Sequence, residues 1–491
     1  MSFNNTARVE NGLLAVPGAD SHGIRVFRGI PFAAPPVGPL RWRPPQAPVP
    51  WSGIRPVDRF GANAMQAKVY GDLDPFNEGV SEDCLFLNVW TPAANPSERL
   101  PVLFWVHGGG FIAGHGAEPR YDGTHPAARG IVVVTSNHRL GAFGFLAHPE
   151  LTAESPHGAS GNYGLLDQVA GLAWVNRNIA SFGGDPDSIT IAGESAGSIS
   201  VSALMASPLT AGLFQRVIGE SGALFSASPK KPDRSLAAAE QYGVRFADGL
   251  GARSPAAMRA LPADRIVAAT PTDHTLWPIG DGYVLPESPA EIFAHGKQND
   301  VALLAGWNRD EGFNFDITAG TGKSFAEVVR ERFGPKAEGI FALYPENDPQ
   351  SARDFGGDLV IVQPTWAWIE AQAKTGTKPV YRYRFDQAPA TPAGWFGDRP
   401  GSNAGAFHAA EIVYAFDNLD AFPWAYTEED RQTAAAMSTY WVNFVKTGDP
   451  NGPGLPAWPA YEPPDGTIMV LDAAPHVGLP EHDERLASLL R

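Results

Sequence analysis

The 491-residue sequence contains a single cysteine, Cys84. One cysteine cannot form a disulfide bond within the chain, and it excludes a metal site built from several cysteines. Basic residues are also scarce, since 37 Lys and Arg stand against 53 Asp and Glu and leave a net charge of −16. An acidic chain without a basic stripe is poorly suited to bind nucleic acid or an anionic membrane. We therefore expect neither among its partners.

The sequence also lacks the signals of export and of membrane insertion. Its opening residues, MSFNNTARVENGLL, do not place a charged segment before an apolar run, as a secretory signal does. No apolar run approaches the ~20 residues that a membrane-spanning helix requires. We therefore expect a cytoplasmic protein. The oligomeric state stays open between a monomer and a weak dimer.

What the sequence does contain is an alternation of short apolar runs, which predict strands, with helical patterns such as residues 165–179 and 428–445. Such alternation favours an α/β fold with a large, mostly parallel sheet that is covered by helices on both faces. No linker is visible, so we expect one domain over residues 1–491 with inserted helical regions at about 225–298 and 325–374. The last but one predicted strand alternates in polarity, as expected near a sheet edge. The predicted strands are residues 84–90, 101–106, 131–135, 216–219, 300–305, 379–385 and 468–471.

The stretch at residues 188–198, SITIAGESAGS, predicts a nucleophile where a buried strand becomes a helix. Gly-x-Ser-x-Gly between a strand and a helix is the nucleophile elbow of α/β-hydrolases. The serine backbone is strained in this turn, and a Cβ at Gly193 or Gly197 would clash because strand and helix pass closely. We therefore expect Ser195 to project above the sheet at the positive end of the following helix.

A glycine loop after the predicted strand 101–106 suits an oxyanion hole. In this fold one N–H comes from the residue after the nucleophile, here Ala196, and others come from a glycine loop after an earlier strand. The segment 107–110, HGGG, lies where that loop belongs. A phosphate-binding loop is the competing interpretation, but this loop carries neither a Gly-Lys-Ser/Thr nor a Gly-x-Gly-x-x-Gly pattern. His107 precedes the serine, so we expect it to hydrogen-bond the loop and not to be the catalytic base.

The chain order of this fold, serine then acid then histidine, limits the candidates for the other catalytic groups. Asp310 and Glu311 both follow a predicted buried strand, at the carboxyl end where catalytic groups collect. The chemistry of these two side chains does not decide which of them is the catalytic acid. With Glu311 as the acid, three histidines remain: His408, His476 and His482. The first lies in a loop of small residues, and the other two lie in the polar C-terminal tail, where solvation is expected.

Segments along the whole chain match the motifs of one known family: 27–33 (FRGIPFA), 35–38 (PPVG), 81–88 (SEDCLFLN), 107–111 (HGGGF), 137–141 (NHRLG), 161–168 (GNYGLLDQ), the elbow, 308–312 (NRDEG) and the loop around His408. The chain resembles the type-B carboxylesterases, which include bacterial para-nitrobenzyl esterases, animal carboxylesterases and cholinesterases. The resemblance covers nearly the whole chain. It implies the α/β-hydrolase fold, with helical insertions that form a substrate gorge.

The resemblance implies a catalytic triad and a reaction. The glutamate of the family's Asp-Glu-Gly motif is the triad acid, so Glu311 is favoured over Asp310 as the partner of Ser195 and His408. The implied reaction is the hydrolysis of small-molecule carboxylic esters through an acyl-enzyme, without a metal or a cofactor. Amide, carbamate or lactone hydrolysis by the same machinery is one alternative. A non-catalytic scaffold is another, although such relatives typically lose a triad residue and carry a membrane anchor.

Other site residues follow from the same resemblance. The implied oxyanion hole consists of the N–H groups of Gly109, Gly110 and Ala196. Glu194, directly before the serine, is expected to tune the local electrostatics. Ser221 resembles a position close to the triad histidine. Five aromatic residues are candidates for lining the gorge, with packing in the core as the equal alternative: Phe111, Trp277, Phe313, Phe315 and Trp366.

The chain departs from the family pattern at two places. Secretory members pair the cysteine at the position of Cys84 with an earlier cysteine, whose position corresponds to Met65 here, so we expect a buried free thiol. Cholinesterases carry a cation-binding tryptophan about ten residues before that cysteine. Near that position, around Asp74, this chain offers only Phe76, which argues against choline esters. Two structural ion pairs are also implied: Arg41 with Glu82, and Arg139 with Asp167.

Overall fold

The computed structural model describes residues 5–70, 79–225, 233–272, 275–396, 404–464, 466–480 and 482–489. Among these residues, ten strands form one large sheet, and two smaller sheets lie in the N-terminal part. The ten strands are β1 (Arg25–Pro31), β2 (Phe86–Thr91), β3 (Leu100–Val106), β4 (Val132–Ser136), β5 (Gly184–Glu194), β6 (Arg216–Glu220), β7 (Ala302–Asn308), β8 (Val380–Phe385), β9 (Ile468–Leu471) and β10 (His476–Gly478). The smaller sheets contain Thr6–Val9, Gly12–Ala15 and Ile54–Arg55, and Asn63–Ala64 and Val80–Ser81.

The strands of the large sheet follow the order β10-β9-β8-β7-β6-β5-β3-β4-β2-β1. The strands from β9 to β4 in this order are parallel, whereas β10 at one edge, and β2 and β1 at the other, are antiparallel to their neighbours. The predicted α/β class with a mostly parallel sheet is therefore confirmed. Because parallel strands end at the same edge of a sheet, the segments after β3, β5, β6 and β7 meet there.

Helices cover both faces of the large sheet. One face packs against Tyr163–Asn178, Ala196–Ala206 and Gln363–Thr375, and the other packs against Glu428–Thr447. The predicted helices at 165–179 and 428–445 thus agree with the structure to within two residues at each end. The other α-helices are Thr124–Ala128, Gly141–Phe145, Pro149–Glu154, Leu236–Gly249, Pro255–Arg259, Ala263–Ala269, Pro289–Ala294, Gly312–Phe315, Phe325–Phe333, Ala337–Leu343, Ser351–Gly357, Ile412–Ala415 and Asp483–Ser488.

Shorter helical segments complete the connections. A π-helical stretch, Asp358–Val362, lies between Ser351–Gly357 and Gln363–Thr375. The 3₁₀ helices are Gly38–Leu40, Pro119–Tyr121, Ile179–Phe182, Pro208–Thr210, Gly334–Lys336 and Leu419–Ala421.

Successive residues of the central strands point to opposite faces of the sheet, and both faces are buried. In β3, Phe104 joins the apolar cluster that also contains Ile189 and Ile191 of β5. Its neighbour Trp105 joins a second cluster with Trp441 of the helix Glu428–Thr447. Burial on both sides explains why these strands are continuous apolar runs in the sequence and do not alternate in polarity.

The alternating character of β8 has a cause other than the predicted position near a sheet edge. This strand is third from the edge and pairs with β7 on one side and β9 on the other. Tyr383 packs against Trp441 on one face. On the other face Arg382 is only 2% exposed and binds both oxygens of Asp483 at 2.5 and 2.8 Å. The polar position thus belongs to a buried ion pair with the C-terminal helix and not to a solvent-facing surface.

The two predicted ion pairs are present. Arg41 binds Glu82 through Nη2 at 2.5 Å and Nε at 2.6 Å, and donates to the carbonyl oxygen of Leu261 at 2.8 Å. These bonds fix the proline-rich N-terminal segment to a distant part of the chain. Arg139 binds Asp167 through Nη2 at 2.7 Å and Nε at 2.8 Å, with both side chains buried. Burial alone would lower the pKa of Arg139, but the Asp167 carboxylate outweighs it and raises the pKa.

Candidate active site

Ser195 lies in the sharp turn between β5 and the helix Ala196–Ala206. Its backbone has φ 53° and ψ −120°, a conformation that costs a non-glycine residue roughly 1–3 kcal/mol. A Cβ on Gly197 would lie 2.1 Å from the carbonyl oxygen of Val106, and a Cβ on Gly193 would lie 2.5 Å from the carbonyl carbon of Gly197. The strand, the turn and the helix of the predicted elbow are therefore present, with the glycines where close approach requires them.

Hydrogen bonds hold this turn, which opens into a large cavity. The Ser195 N–H donates to the carbonyl oxygen of Glu220 at 2.9 Å, and the Ser195 carbonyl oxygen accepts from the Ile199 N–H at 2.8 Å. Ser195, Glu194 and His408 all line a cavity of about 1010 Å³. Small-molecule sites usually measure about 300–1,000 Å³, so this cavity has room for a sizeable organic substrate.

The glycine loop after β3 lines the same cavity with Gly109 and Gly110. Gly109, Gly110 and Phe111 have φ values of 101°, 64° and 62°, so three successive residues are left-handed. A Cβ on Gly109 would lie 2.2 Å from the carbonyl oxygen of Ala113. Within the described ranges, the N–H groups of Gly109, Gly110 and Ala196 donate to no other group of the protein. They are available to an oxygen atom of a substrate.

His107 supports the glycine loop, as expected. Its Nδ1 lies 2.8 Å from the carbonyl oxygen of Gly108, and its ring stacks on His138 with the centroids 4.4 Å apart. Burial, the largest effect, lowers the pKa of His107 to about 4. The imidazole is therefore neutral near pH 7 and suited to a structural hydrogen bond.

His408 binds Glu311 directly. The distance between His408 Nδ1 and Glu311 Oε2 is 2.6 Å, and Glu311 is 1% exposed. The second oxygen, Oε1, accepts the Asn308 N–H at 2.9 Å, which fixes the carboxylate at the end of β7. Burial alone would lower the pKa of His408, but the charges of Glu311 and Glu194 outweigh it and raise that pKa to about 10.

Asp310 is adjacent to Glu311 in the sequence but binds the backbone of the loop that carries His408. Its Oδ2 accepts the Ala406 N–H at 2.8 Å, and the Asp310 N–H donates to the Ala406 carbonyl oxygen at 3.0 Å. The sequence alone did not distinguish Asp310 from Glu311 as the partner of the histidine. In the structure, Glu311 contacts the imidazole, whereas Asp310 fixes the loop.

Glu194 faces the other nitrogen of the imidazole. Its Oε1 lies 3.2 Å from His408 Nε2, and its side chain is 3% exposed. This approach requires a glycine at position 108, because a Cβ on Gly108 would lie 2.6 Å from Glu194 Oε2. Burial raises the pKa of Glu194 well above its usual range, although the charge of His408 opposes this effect. Glu194 thus acts on the imidazole at short range.

Ser195 and His408 are neighbours in the cavity wall without a hydrogen bond between them in the described structure. His408 Nε2 is directed at Glu194 instead. Catalytic hydrogen bonds are often long or poorly aligned in the absence of substrate and tighten in the reacting complex. Because both residues line one cavity, a substrate bound there can contact both.

Two further buried carboxyl groups, Glu220 and Glu411, lie close to Glu194 and Glu311, and the sequence indicated no role for either. Glu411 accepts hydrogen bonds from Asn308 Nδ2 at 2.5 Å and from Ser221 Oγ at 3.2 Å. Glu220 accepts from Trp441 Nε1 at 2.7 Å. Burial, the largest effect, raises the pKa of Glu411 to about 7 and that of Glu220 well above its usual range. Both carboxyl groups therefore hold a proton to higher pH than an exposed glutamate does.

The positions of Glu220 and Glu411 in the sequence are the features that could have indicated a place near the site. Glu220 ends β6 and lies in register beside Glu194, which ends β5. Glu411 follows His408 by about one helical turn. Ser221, expected close to the histidine, binds Glu411 and forms no hydrogen bond with His408 in the part of the chain that the structure describes.

The five candidate gorge aromatics divide between the cavity and the core. Trp277 and Phe315 line the cavity, and the Phe315 ring meets the His408 ring edge to face with the centroids 4.9 Å apart. Phe111 and Trp366 belong to an apolar cluster on one face of the sheet. Phe313 belongs to the cluster on the other face. For these last three positions, core packing is the correct alternative.

Other residues singled out in the sequence lie away from the cavity. Cys84 is a buried free thiol, as expected, and Met65 packs against the same apolar cluster. Burial raises the pKa of Cys84 above its usual range. His476 and His482 are exposed. The positions compared with the cholinesterase tryptophan, Asp74 and Phe76, lie outside the described residues.

In the described part of the chain, no three His, Cys, Asp or Glu side chains are grouped as ligands of a metal ion would be. Among the same residues, every helix is too short or too polar to span a membrane.

Known proteins of similar sequence identify the family of this chain. The sequence profile of the carboxylesterase family matches residues 6–338 and 342–487. The chain is 37% identical over 470 residues to the fumonisin B1 esterase of Sphingopyxis macrogoltabida, with 91% of this chain and 83% of the relative covered. It is 36% identical over 474 residues to the para-nitrobenzyl esterase of Bacillus subtilis, with 93% of each protein covered.

Solved structures agree with this result. A carboxylesterase of Geobacillus stearothermophilus superposes with a TM-score of 0.85 and 35% identity, over 99% of this chain and 100% of the other. A para-nitrobenzyl esterase structure gives a TM-score of 0.84 and 34% identity, with the same coverage.

Proposed function

The chain belongs to the carboxylesterase family and is a carboxylic ester hydrolase of the α/β-hydrolase fold, and we propose that it cleaves small-molecule esters through an acyl-enzyme on Ser195. The proposed triad is Ser195, His408 and Glu311, and the proposed oxyanion hole is formed by Gly109, Gly110 and Ala196. The observation that carries the proposal is the 2.6 Å bond between His408 Nδ1 and Glu311 Oε2, in the cavity that Ser195 lines.

In the first half of the reaction, neutral His408 accepts the proton of Ser195 Oγ through Nε2 as the oxygen attacks the ester carbonyl carbon. Glu311 holds Nδ1 as the N–H tautomer and stabilises the imidazolium that forms. The tetrahedral intermediate then expels the alcohol, which takes the proton from Nε2. In the second half, His408 activates a water molecule, which releases the acid and restores the serine.

The three free N–H groups of the hole stabilise the oxygen that becomes negatively charged. Their donors are fixed before substrate binds, because Gly109 and Gly110 are held in left-handed conformations and Ala196 begins a helix. The loss of one such donor typically costs about 2.7–4 kcal/mol in the barrier.

Substitution and labelling of Ser195 test this proposal. Ser195→Ala is expected to abolish turnover of a short-chain 4-nitrophenyl ester and the incorporation of an organophosphate, which peptide mass spectrometry should find on Ser195 in the wild-type protein. Retained turnover in the variant, or a label on another residue, would refute the proposal.

Substrates related to esters are the main alternative. Carbamates, amides and lactones react through the same tetrahedral chemistry, and the site does not discriminate against them by itself. Turnover of a matched ester, carbamate and anilide with identical acyl groups measures the preference directly, and the ester is expected to react fastest. A scaffold without catalytic activity would show no label and no turnover.

Three further proposals concern the domain organisation, the cellular location and the partners of the protein. Residues between Gly108 and Ile412 line one cavity, which supports one catalytic domain over residues 1–491 with helical insertions at about 225–298 and 325–374. The buried free thiol of Cys84 supports a cytoplasmic location, which cell fractionation tests. The acidic net charge supports the absence of nucleic-acid and membrane partners. Sedimentation velocity distinguishes a monomer from a weak dimer.

A further inference from the structure

Arg234 is a charged side chain of the substrate cavity that the reaction does not use. It lines the same cavity as Ser195 and the glycine loop. Its guanidinium carbon lies 5.0 Å from the centre of the Trp277 ring, and that ring meets the Phe111 ring edge to face at 4.8 Å. Phe111 directly follows Gly110 of the proposed oxyanion hole. A cation–π contact and an edge-to-face ring contact thus connect Arg234 to the glycine loop.

The backbone of Arg234 is held in place. Its carbonyl oxygen accepts the Gly280 N–H at 3.0 Å, and the Gly280 carbonyl oxygen accepts the Leu236 N–H at 3.2 Å. Asn162, in turn, binds Ile279 through two hydrogen bonds, at 2.8 and 3.1 Å. The position of Arg234 is therefore part of the fixed wall, at the beginning of the helix Leu236–Gly249.

Among the residues that the structure describes, Arg234 has no anionic partner. No carboxylate of the described ranges forms an ion pair with it, whereas the buried Arg139 binds Asp167 through two nitrogens. Burial lowers the pKa of Arg234 to about 10, without an opposing contribution from any carboxylate. The guanidinium nevertheless stays charged at pH 7. A partly buried cation without a partner is unfavourable and attracts an anion from outside the protein.

The described carboxylates that line the cavity already have partners, Glu194 being next to His408. Glu118 pairs with Arg120 at 2.8 Å. Glu287 binds Lys297 at 3.1 Å, with its side chain partly exposed. Glu291 accepts from Ser288 in a helix cap, and Asp233 accepts the Ser235 N–H. Among the described cavity residues, these acids are therefore engaged, whereas the Arg234 guanidinium contacts the Trp277 ring but forms no ion pair.

We infer that Arg234 binds a carboxylate of the substrate, so that the preferred substrates are esters that also carry a free carboxylate group. A planar guanidinium binds a carboxylate through two parallel hydrogen bonds, and the Trp277 ring on one side restricts its orientation. The inference rests on the proposed function, because it names the class of ester that the same cavity accepts.

Two pairs of substrates locate the carboxylate. The first pair places the charge on the acyl side: mono(4-nitrophenyl) adipate against the neutral, nearly isosteric 4-nitrophenyl 6-oxoheptanoate. The second pair places it on the alcohol side: 4-(hexanoyloxy)benzoate against 4-acetylphenyl hexanoate. Hydrolysis of all four is followed in a pH-stat at low ionic strength, because salt screens the interaction.

Three variants separate charge from packing. Arg234→Met removes the guanidinium and keeps the apolar stem, and Arg234→Lys keeps the charge. Arg245→Met, at an exposed position of the helix Leu236–Gly249, is the matched control. The wild-type protein is expected to prefer the anionic ester in one of the two pairs. Arg234→Met should lower kcat/KM for that ester roughly 10- to 100-fold, mainly through KM, and change kcat/KM for its neutral match less than about twofold.

Arg234→Lys should restore part of the preference, and Arg245→Met should leave all four rates unchanged. A preference for the neutral ester in both pairs would overturn the inference. An equal loss on both members of a pair in Arg234→Met would also overturn it, because it would mean that the side chain only supports Trp277. The proposed function fails separately, if Ser195→Ala still hydrolyses the neutral esters.

Discussion

His408 Nε2 lies 3.2 Å from Glu194 Oε1, so the imidazole is placed between two buried carboxyl groups, Glu194 and Glu311. Both groups favour the protonated imidazole, which cannot act as a base. The arrangement fixes the position of the histidine but leaves only a fraction of it as the neutral base below its raised pKa. The pH dependence of the reaction therefore reports on Glu194.

Glu194→Gln is expected to shift the acidic limb of the kcat/KM profile to lower pH. The substitution keeps the shape of the side chain but removes a carboxylate that raises the pKa of His408, so the neutral base is populated at lower pH. The measurement is kcat/KM for a neutral 4-nitrophenyl ester between pH 5 and 11, corrected for spontaneous hydrolysis, because the pKa of His408 is raised to about 10. Glu287→Gln is the control, because this partly exposed carboxylate of the cavity wall pairs with Lys297, and it should leave the limb in place. A shift to higher pH would contradict this assignment of Glu194.

Glu411→Gln is expected to stabilise the protein at high pH. Burial raises the pKa of Glu411 from 4.5 to about 7, so the folded wild-type protein holds this proton more tightly than the unfolded chain. Its contribution to stability is present below pH 4.5 and is lost as the pH rises through 7, a loss of roughly 3 kcal/mol. Glutamine removes the titration and still accepts the bond from Asn308.

The measurement for Glu411 is the thermal midpoint of both proteins at pH 4.5 and pH 8. The variant should exceed the wild-type protein at pH 8 and differ little from it at pH 4.5. Glu462→Gln, at an exposed surface position, should change neither value. An unchanged difference at the two pH values would show that Glu411 does not titrate in this range.

Glu311→Gln and Asp310→Asn are expected to differ strongly although the residues are adjacent. Only Glu311 contacts the imidazole, and an amide in its place disfavours the tautomer that the reaction needs. The expected loss in kcat is about 10⁴-fold for Glu311→Gln. Asp310→Asn weakens a bond to the Ala406 N–H and should lower the thermal midpoint more than kcat. Steady-state kinetics and thermal unfolding of both variants test the contrast, which equal losses in kcat would contradict.

Gly109→Ala is expected to lower kcat about 10²- to 10³-fold, as the loss of an oxyanion donor does. Its Cβ would lie 2.2 Å from the carbonyl oxygen of Ala113, so the loop must move. Gly158→Ala is the matched control, because Gly158 also has a positive φ, of 61°, but has open space around it. Kinetics and thermal midpoints separate the effects. A similar loss of kcat in both variants would attribute the effect to general strain.

Local patterns made the elbow and the glycine loop predictable from the sequence. Ser195 and its glycines lie within one short stretch, and the conformation of that stretch depends on its own sterics. The apolar runs of β3 and β5 were equally visible, because burial on both faces leaves no polar positions. Their parallel pairing follows from the helices between them.

Contacts between distant parts of the chain were not predictable in this way. Asp310 and Glu311 differ only in which part of the loop at 404–408 each one meets. The buried state of Glu411 depends on Asn308, about a hundred residues away in the chain. The sequence pattern around Arg382 in β8 indicates a strand near a sheet edge, because its partner Asp483 belongs to a C-terminal helix that the sequence does not indicate. In each case the deciding group is supplied by tertiary packing.

The sealed position of Cys84 has a practical consequence. The thiol is 1% exposed, and burial raises its pKa, so it is shielded from alkylating reagents. The described structure therefore has no native thiol that such reagents can reach. A single cysteine introduced at a partly exposed position of the cavity wall, for example at Glu287, would be a unique attachment point for a fluorophore. Entry of a substrate into the cavity could then be followed optically, with the native sequence otherwise intact.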